Sequence, residues 1–333
     1  MSAVASVRIH ASQFPESVRG DLLASLRTRS VNHKFHYDSI KQTQQWLALH
    51  ETYSPARNDA DCRAVYDRAF VAAASQIKSR AVHLIGLGCG GGQKDTRLLK
   101  RLKSRGRKIS YTPCDVSTAM VLVARRTARA VVPEKKCFPY VCDLAAADDL
   151  PKCLIPRHLS LARRAEASER RLVTFFGMIP NFEPRLILPR LASLVRPRDL
   201  LLFSANLAPG PTYAAGVKKI LPQYDNRLTR DWLMTFLLDL GVSRDGGRLR
   251  FSIESGTAGL KRIEANFHFT RRCQVRVESE TFAFRAGETI RLFFSYRYTP
   301  DRVRRILARY GLEVCNQWVT QSEEEGVFLC RKP

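Results

Sequence analysis

From Ala81 to Leu207 short apolar runs recur between amphipathic stretches: AVHLIGL from Ala81, KISYTPCDV from Lys108, CFPYVCDL from Cys137, RLVTFFGMI from Arg171 and DLLLFSANL from Asp199. Runs that are apolar throughout, rather than at every second position, predict strands buried on both faces, and the helical spacing between them predicts crossovers of a parallel sheet. A helix is expected from Asp59, where Val65, Ala69, Phe70 and Ala73 recur at helical spacing, with a turn before it at Tyr53–Ala56. Residues 208–287 interrupt the pattern with a helical stretch at Thr229–Leu240 and alternating runs at Leu249–Ile253 and Arg262–Phe269. The run IRLFFSYRY, a helix at Thr299–Tyr310 and a strand at Val327–Cys330 are expected to resume the sheet. The predicted division is a mostly parallel α/β core at 60–207 and 288–333, with a mixed α+β cap formed by 1–59 and 208–287.

Composition changes this picture little. Of 333 residues 45% are hydrophobic and 26% charged, ordinary values for a globular chain with a sizeable core. The net charge of +24 is large enough to attract acidic partners. Its concentrations at Lys100–Lys108, Arg125–Arg129, Arg157–Arg171 and Arg302–Arg309 fall on or beside predicted amphipathic helices. They read as solvated faces before a nucleic-acid groove. Nine cysteines at irregular spacing form no Cys-x-x-Cys pair, so no zinc site or disulfide framework is expected. No apolar leader or membrane-length stretch is present. The expectation is a cytoplasmic protein without a bound metal.

The most specific chemical signal lies between the first run and the next helix, at Gly86-Leu87-Gly88-Cys89-Gly90-Gly91-Gly92. A strand-to-helix turn without side chains lets backbone approach a ligand at a helix N-terminus. A P-loop would need Gly-Lys-Ser/Thr, but Gln93-Lys94-Asp95 follows. The dinucleotide fingerprint is satisfied by Gly86, Gly88 and Gly91, so an NAD-type ligand stays open on the loop alone. The next two runs end in Asp115 and Asp143. A carboxylate after the second strand can accept both hydroxyls of a ribose, and one after the third can accept from an adenine amine. That series fits S-adenosylmethionine on a Rossmann-like class I methyltransferase core. Either aspartate is also well suited to cap a following helix.

The fourth run leads into Gly177-Met178-Ile179-Pro180-Asn181-Phe182, where an Asn amide meets the same sheet edge or merely closes a Pro-Asn turn. With this motif in place, the chain from about residue 34 onward resembles the family of histidine-specific, S-adenosylmethionine-dependent methyltransferases. The resemblance rests on the order of Phe35–Asp38, Tyr53–Arg57, Gly86–Arg97, Pro113–Val116, Phe176–Phe182, Gln223–Asn226, Arg262–Glu264 and Gly287–Tyr298. It implies that Gly86, Gly88, Gly90, Lys94, Asp115, Asp143 and Leu144 contact the methyl donor. It further implies catalytic roles for Tyr37, Tyr53 and Asn181, and a substrate site at Tyr53, Asn181, Tyr224, Phe293 and Ser295.

One departure stands out. The family reads histidine with a Glu-x-Ser arrangement, whereas this chain has Phe293-Phe294-Ser295. A site that has lost the partner of a substrate N–H loses its discrimination for that substrate. Asn206 also stands where the family commonly has an aspartate. The expected activity is in-line N-methylation, without a metal, of a small amino acid or amine whose side chain can pack against Phe293. The weaker alternative is an RNA methyltransferase, because Ile179-Pro180-Asn181-Phe182 only loosely resembles the amino-methyltransferase motif Asp/Asn-Pro-Pro-aromatic.

Overall fold

The computed structural model describes residues 6–154 and 169–333. Most of the basic stretch 157–171 therefore lies outside the described residues. The apolar runs become β2 (Ala81–Leu87), β3 (Lys108–Asp115), β4 (Tyr140–Val141), β5 (Glu169–Phe175) and β6 (Leu200–Asn206). With β1 (Arg8–Ile9), β12 (Glu313–Val319) and β13 (Glu325–Arg331) they form one eight-stranded sheet, ordered β1-β4-β3-β2-β5-β6-β13-β12. The pairs from β1 to β6 are parallel, and β13 is antiparallel to both of its neighbours. Apolar side chains from both faces of the sheet are buried, Ile85, Val173 and Phe203 toward one cluster and Leu84, Leu172 and Leu202 toward the other. That explains why the strands are apolar at successive positions.

The helix expected from Asp59 spans Ala60–Gln76, and Asp59 caps it by accepting from the Asp61 amide. The basic concentrations that are described sit mainly on outward faces. Arg101, Lys103 and Arg105 are exposed, as are Arg304, Arg305 and Arg309. No helix among the described residues is long and apolar enough to cross a membrane, and all nine cysteines are free.

Two expectations about the second unit need correction. The run at Ile290–Tyr298 does not add a strand to the large sheet, which it meets through a bridge from Tyr298 to Leu207. As β11 (Thr289–Arg297) it pairs antiparallel with β8 (Lys261–Phe269), which pairs with β7 (Gly247–Ser255) in a separate three-stranded sheet. The segment assigned to the core from 288 therefore begins with a strand of the smaller sheet; its end touches the large one where the Tyr298 amide donates to the Asn206 carbonyl at 3.1 Å, and the helix Pro300–Ala308 then leads to β12. Conversely, residues 1–59 do not lie wholly apart from the large sheet, because β1 extends its edge beside β4. A hairpin of β9 (Cys273–Val277) and β10 (Glu280–Phe284) completes the smaller unit.

The N-terminal segment is tied firmly to this unit. The Val31 amide donates to the Arg291 carbonyl at 2.8 Å, and the Trp232 indole donates to the His36 carbonyl at 2.7 Å. His36 itself is fully buried, with Nε2 2.6 Å from the Leu292 carbonyl oxygen and Nδ1 without a partner. That carbonyl fixes the hydrogen on Nε2. Burial, with a smaller contribution from His33, lowers the His36 pKa to about 4 against the opposing pull of the Leu292 carbonyl.

The unfolded chain thus takes up this proton near 6.5 and the folded chain near 4, so stability present above the first value is lost as pH falls toward the second. Asp95 works in the opposite sense, since burial raises it to about 6 and the folded chain binds that proton first. The variant His36→Phe separates the two effects. Between pH 7 and pH 5 the native protein should lose about 2 kcal/mol more stability to denaturant than this variant, from about 1.4 kcal/mol per pH unit. Equal losses would place the His36 proton elsewhere.

Candidate functional site

The strand order reverses between β2, which leads to β3, and β5, which leads to β6. Ligands of open α/β sheets bind at the carboxyl ends of the strands at such a switch point. There a cleft of about 1920 Å³ runs from the glycine turn to β11, well above the roughly 300–1,000 Å³ of a single-ligand pocket. It has room for two reactants.

At one end, the Asp115 carboxylate accepts from the Gly90 amide at 3.0 Å and from the Ser117 amide at 3.1 Å. It is buried, and that burial raises its pKa against these bonds. The helix cap is Ser117 instead, whose hydroxyl accepts from the Met120 amide. Asp143 divides its oxygens. Oδ1 accepts from the Ala145 amide at 2.8 Å and closes a turn, while Oδ2 is buried with no hydrogen-bond partner, the Lys34 ammonium lying 3.8 Å away. Two buried acceptors at the ends of β3 and β4, one lacking a donor, suit a ligand that brings hydroxyl and amine hydrogens.

Gly88 and Gly90 line the cleft with φ of 61° and 49°. Side chains at these positions would run into Met178 and Trp46 respectively. Gly86 has a different reason to be glycine. It does not border the cleft, and a Cβ there would collide with the carboxylate of Asp95, which is held by Tyr111 and Thr174 at 2.7 Å each. Leu144 lines the cleft wall. Lys94 also lines it, but its ammonium donates to the Tyr66 hydroxyl at 2.8 Å and lies 3.8 Å from Glu325.

The other end is aromatic. Phe293, 8% exposed, packs 5.7 Å from Trp232 and 6.3 Å from Tyr224, centroid to centroid. Tyr37 lies between Trp232 and Trp46 at 5.5 and 6.0 Å. Burial and the nearby Asp115 charge raise the Tyr37 hydroxyl above its ordinary pKa, so it stays protonated at neutral pH. Asn181, in a single turn after β5, donates from Nδ2 to the Phe294 carbonyl at 3.4 Å and so reaches β11. Tyr53 ends the helix Ile40–Tyr53 and stands 52% exposed at the rim. The Tyr224 hydroxyl contacts Ser295 Oγ at 2.7 Å.

All the expected site residues except Gly86 thus border one cleft. Sequence reasoning missed three others. His33 sits beside Asn181, with Nδ1 2.9 Å from its backbone carbonyl and a pKa lowered to about 4 by burial. Trp46 is carried over the glycine turn by the helix Ile40–Tyr53, whose capping box at Ser39 and Gln42 was a readable signal. Arg297, also on the wall, had no signal beyond its place in the Ser295–Tyr298 stretch.

A model of histidine-specific, SAM-dependent methyltransferases matches residues 18–332. The chain belongs to that family. It is 28% identical to the histidine N-alpha-methyltransferase of Mycobacterium tuberculosis (strain CDC 1551 / Oshkosh), over 95% of each chain. It is 23% identical to the N-methyltransferase fsqC of Aspergillus fumigatus, over 73% of this chain and 64% of that one. Among solved structures, the magnesium protoporphyrin IX methyltransferase of Synechocystis PCC 6803 with bound SAH overlaps at a TM-score of 0.46 and 12% identity, over 90% of this chain and 98% of that one. The protein is therefore a methyltransferase, and its methyl donor is S-adenosylmethionine. The glycine turn's two open readings resolve in favour of that donor.

Proposed function

We propose that this methyltransferase places a methyl group on the amino nitrogen of a small amino acid or amine with an apolar or aromatic side chain. The observation that carries this reading is Phe293. It stands where the family resemblance puts a carboxylate, against Trp232 and Tyr224. The carboxylate opposite Phe294 in the adjacent strand, Glu264, cannot stand in for the missing acid. It is held by Arg262 at 2.7 Å and Arg291 at 3.0 Å and does not border the cleft. An aromatic wall of this kind offers apolar contact and edge-to-face packing, and no anion for an imidazole N–H.

In this reading S-adenosylmethionine would supply an electrophilic methyl on a sulfonium, which the neutral amine would attack in line, the N–C bond forming as the S–C bond breaks, S-adenosylhomocysteine leaving and the amine's surplus proton passing to solvent. Asp115 and Asp143 would hold the adenosyl part, with Gly88, Gly90 and Leu144 beside it and Lys94 available to its amino-acid end. Gly86 supports the turn from behind by leaving room for Asp95. Tyr37, Tyr53 and Asn181 orient the amine, while Phe293, Tyr224 and Ser295 receive the rest of the acceptor. No covalent intermediate is needed. Holding two reactants in a near-attack line lowers the barrier by on the order of 7–11 kcal/mol in favourable cases, and the aromatic rings over the glycine turn exclude water.

The test is methyl transfer from labelled S-adenosylmethionine to the free amino acids and to small amines. Turnover should be greatest for aromatic and large apolar side chains and weak for histidine. Preference for histidine would overturn the side-chain assignment. Methylation of RNA with no transfer to amino acids would overturn the substrate class.

A further inference from the structure

Two histidines among the described residues border the cleft, His33 and His50. His50 stacks on Trp46 at 4.8 Å, and the charges of Lys94 and Arg57 add to burial in lowering its pKa to about 3. It keeps company with cations. His33 stands with other residues. Its ring meets Phe182 at 4.9 Å and Tyr37 at 5.7 Å, both edge to face, and its Nδ1 lies 2.9 Å from the Asn181 carbonyl oxygen. Tyr37 and Asn181 are residues that orient the amine in the proposed methylation. The turn that carries His33 is held at both ends, since the Asn32 side chain accepts from the Lys34 amide and His36 Nε2 bonds to the Leu292 carbonyl.

A carbonyl oxygen only accepts, so Nδ1 carries the hydrogen of the His33 ring and Nε2 carries a lone pair. No described residue hydrogen-bonds to that Nε2, and the atom is not shut off from solvent, so it opens on the cleft that the ring borders. Burial lowers the ring's pKa to about 4, which keeps it uncharged at neutral pH. A charged ring would repel a sulfonium and would have no lone pair to offer. A base this weak leaves the proton on an ammonium, yet it still accepts a hydrogen bond from one. Such a bond is stronger to a charged nitrogen than to a neutral one, so it tightens as an amine becomes cationic under methylation. An interaction that grows toward the transition state raises kcat.

We propose that His33 is a further catalytic residue of this methyltransferase: its Nε2 accepts an N–H of the acceptor amine and turns the nitrogen lone pair toward the methyl to be transferred. The nitrogen gains the methyl carbon as the sulfur–carbon bond breaks, the hydrogen shared with Nε2 stays on nitrogen, and the surplus proton passes to solvent with the released ammonium. The contact needs an N–H. His33 therefore speeds methylation of primary and secondary amines and leaves tertiary amines, which have no N–H in the attacking form, unaided. The inference rests on the reading of the cleft as an amino-methylation site.

The probes are L-phenylalanine, N-methyl-L-phenylalanine and N,N-dimethyl-L-phenylalanine, each assayed with methyl-labelled S-adenosylmethionine. His33→Phe keeps an aromatic ring beside Phe182 and Tyr37 and removes the acceptor. It should lower kcat for the first two about ten- to a hundredfold, the range of one hydrogen bond to a charged group, and change it less than about threefold for the third. His33→Gln, whose amide oxygen reaches the position of Nε2, should recover part of the loss. Stabilisation by S-adenosylhomocysteine, retained in both variants, verifies their folding. Losing the bond to the Asn181 carbonyl would affect all three amines alike. Equal losses on all three, or none on any, would therefore overturn the proposal.

A binding measurement separates this failure from failure of the methylation reading. With S-adenosylhomocysteine present, N-methyl-L-phenylalanine should raise the melting temperature of the native protein more than N,N,N-trimethyl-L-phenylalanine, which has no N–H, and His33→Phe should lose that difference. Equal stabilisation by both in the native protein, or a difference that His33→Phe retains, overturns the role of His33 whatever the turnover assay gives. Stabilisation by neither overturns the amino-acid reading on which that role rests. The difference without any amino methylation overturns only the reaction.

Discussion

Asp115→Ala should weaken binding of S-adenosylmethionine and S-adenosylhomocysteine at least a hundredfold and abolish the rise in melting temperature that either produces. The side chain does two things at once. Its oxygens hold the Gly90 and Ser117 amides, so they fix the glycine turn against the start of the next helix. It also lines the cleft at the end of β3, where a ribose would offer two hydroxyl hydrogens to a carboxylate already stripped of most of its water. Hydrogen bonds to a charged group contribute roughly 1.5–3 kcal/mol each. Two of them amount to about 3 kcal/mol at the low end, or about two decades in affinity. Asp115→Asn keeps one acceptor oxygen and should fall between. Calorimetric titration with S-adenosylhomocysteine checks both variants, and an unchanged Kd for Asp115→Ala would remove this residue from the site.

The position of Asp115 was readable because the sequence feature and the structural feature coincide. A parallel strand is an unbroken apolar run, and the residue that ends the run stands at the sheet edge where ligands of open α/β sheets bind. The same logic located the glycine turn after β2, Asp143 after β4 and Asn181 after β5. It failed where the run alone does not say which partner a strand takes. IRLFFSYRY is as apolar as the runs of the large sheet, yet β11 pairs with β8 through a register shift between Arg291 and Phe293. Pairing across separate segments is a tertiary choice that local pattern does not encode. The run around Tyr140 was overestimated for a local reason. Only Tyr140–Val141 is strand, and Pro139 just before it has no N–H to give to a ladder.

Residue meaning was harder to read than residue position. Gly86 carries the first letter of the ligand-binding pattern, but its missing side chain makes room for Asp95 inside the protein. Arg297 looked like one more basic residue in a chain of fifty-five Lys and Arg. What sets it apart is that, buried among the described residues, it donates to the neutral oxygens of Leu207 and Tyr224, a property of packing that no sequence pattern carries.

Phe293→Glu should raise kcat/KM for L-histidine about a hundredfold above the native protein and lower it for L-phenylalanine. In the proposed reading the acceptor's side chain meets the wall of Phe293, Trp232 and Tyr224, and an imidazole N–H brought against it loses its water without gaining an acceptor. That loss is what makes polar recognition so discriminating, up to about four or five decades where a site is built for it. Restoring the acid on this strand, two residues from Ser295, should return part of that range and not all, because the rings around it are shaped for an apolar partner. The substitution should also destabilise the free protein by about 3 kcal/mol, since it removes a buried ring and leaves a carboxylate without a donor. Histidine supplies the missing donor. Denaturation with S-adenosylhomocysteine present should therefore show histidine stabilising the variant more than the native protein. A variant that lost stability, gained no turnover on histidine and was not stabilised by it would show that Phe293 does not face the acceptor's side chain, and the strand carrying Ser295 would need another register in the site.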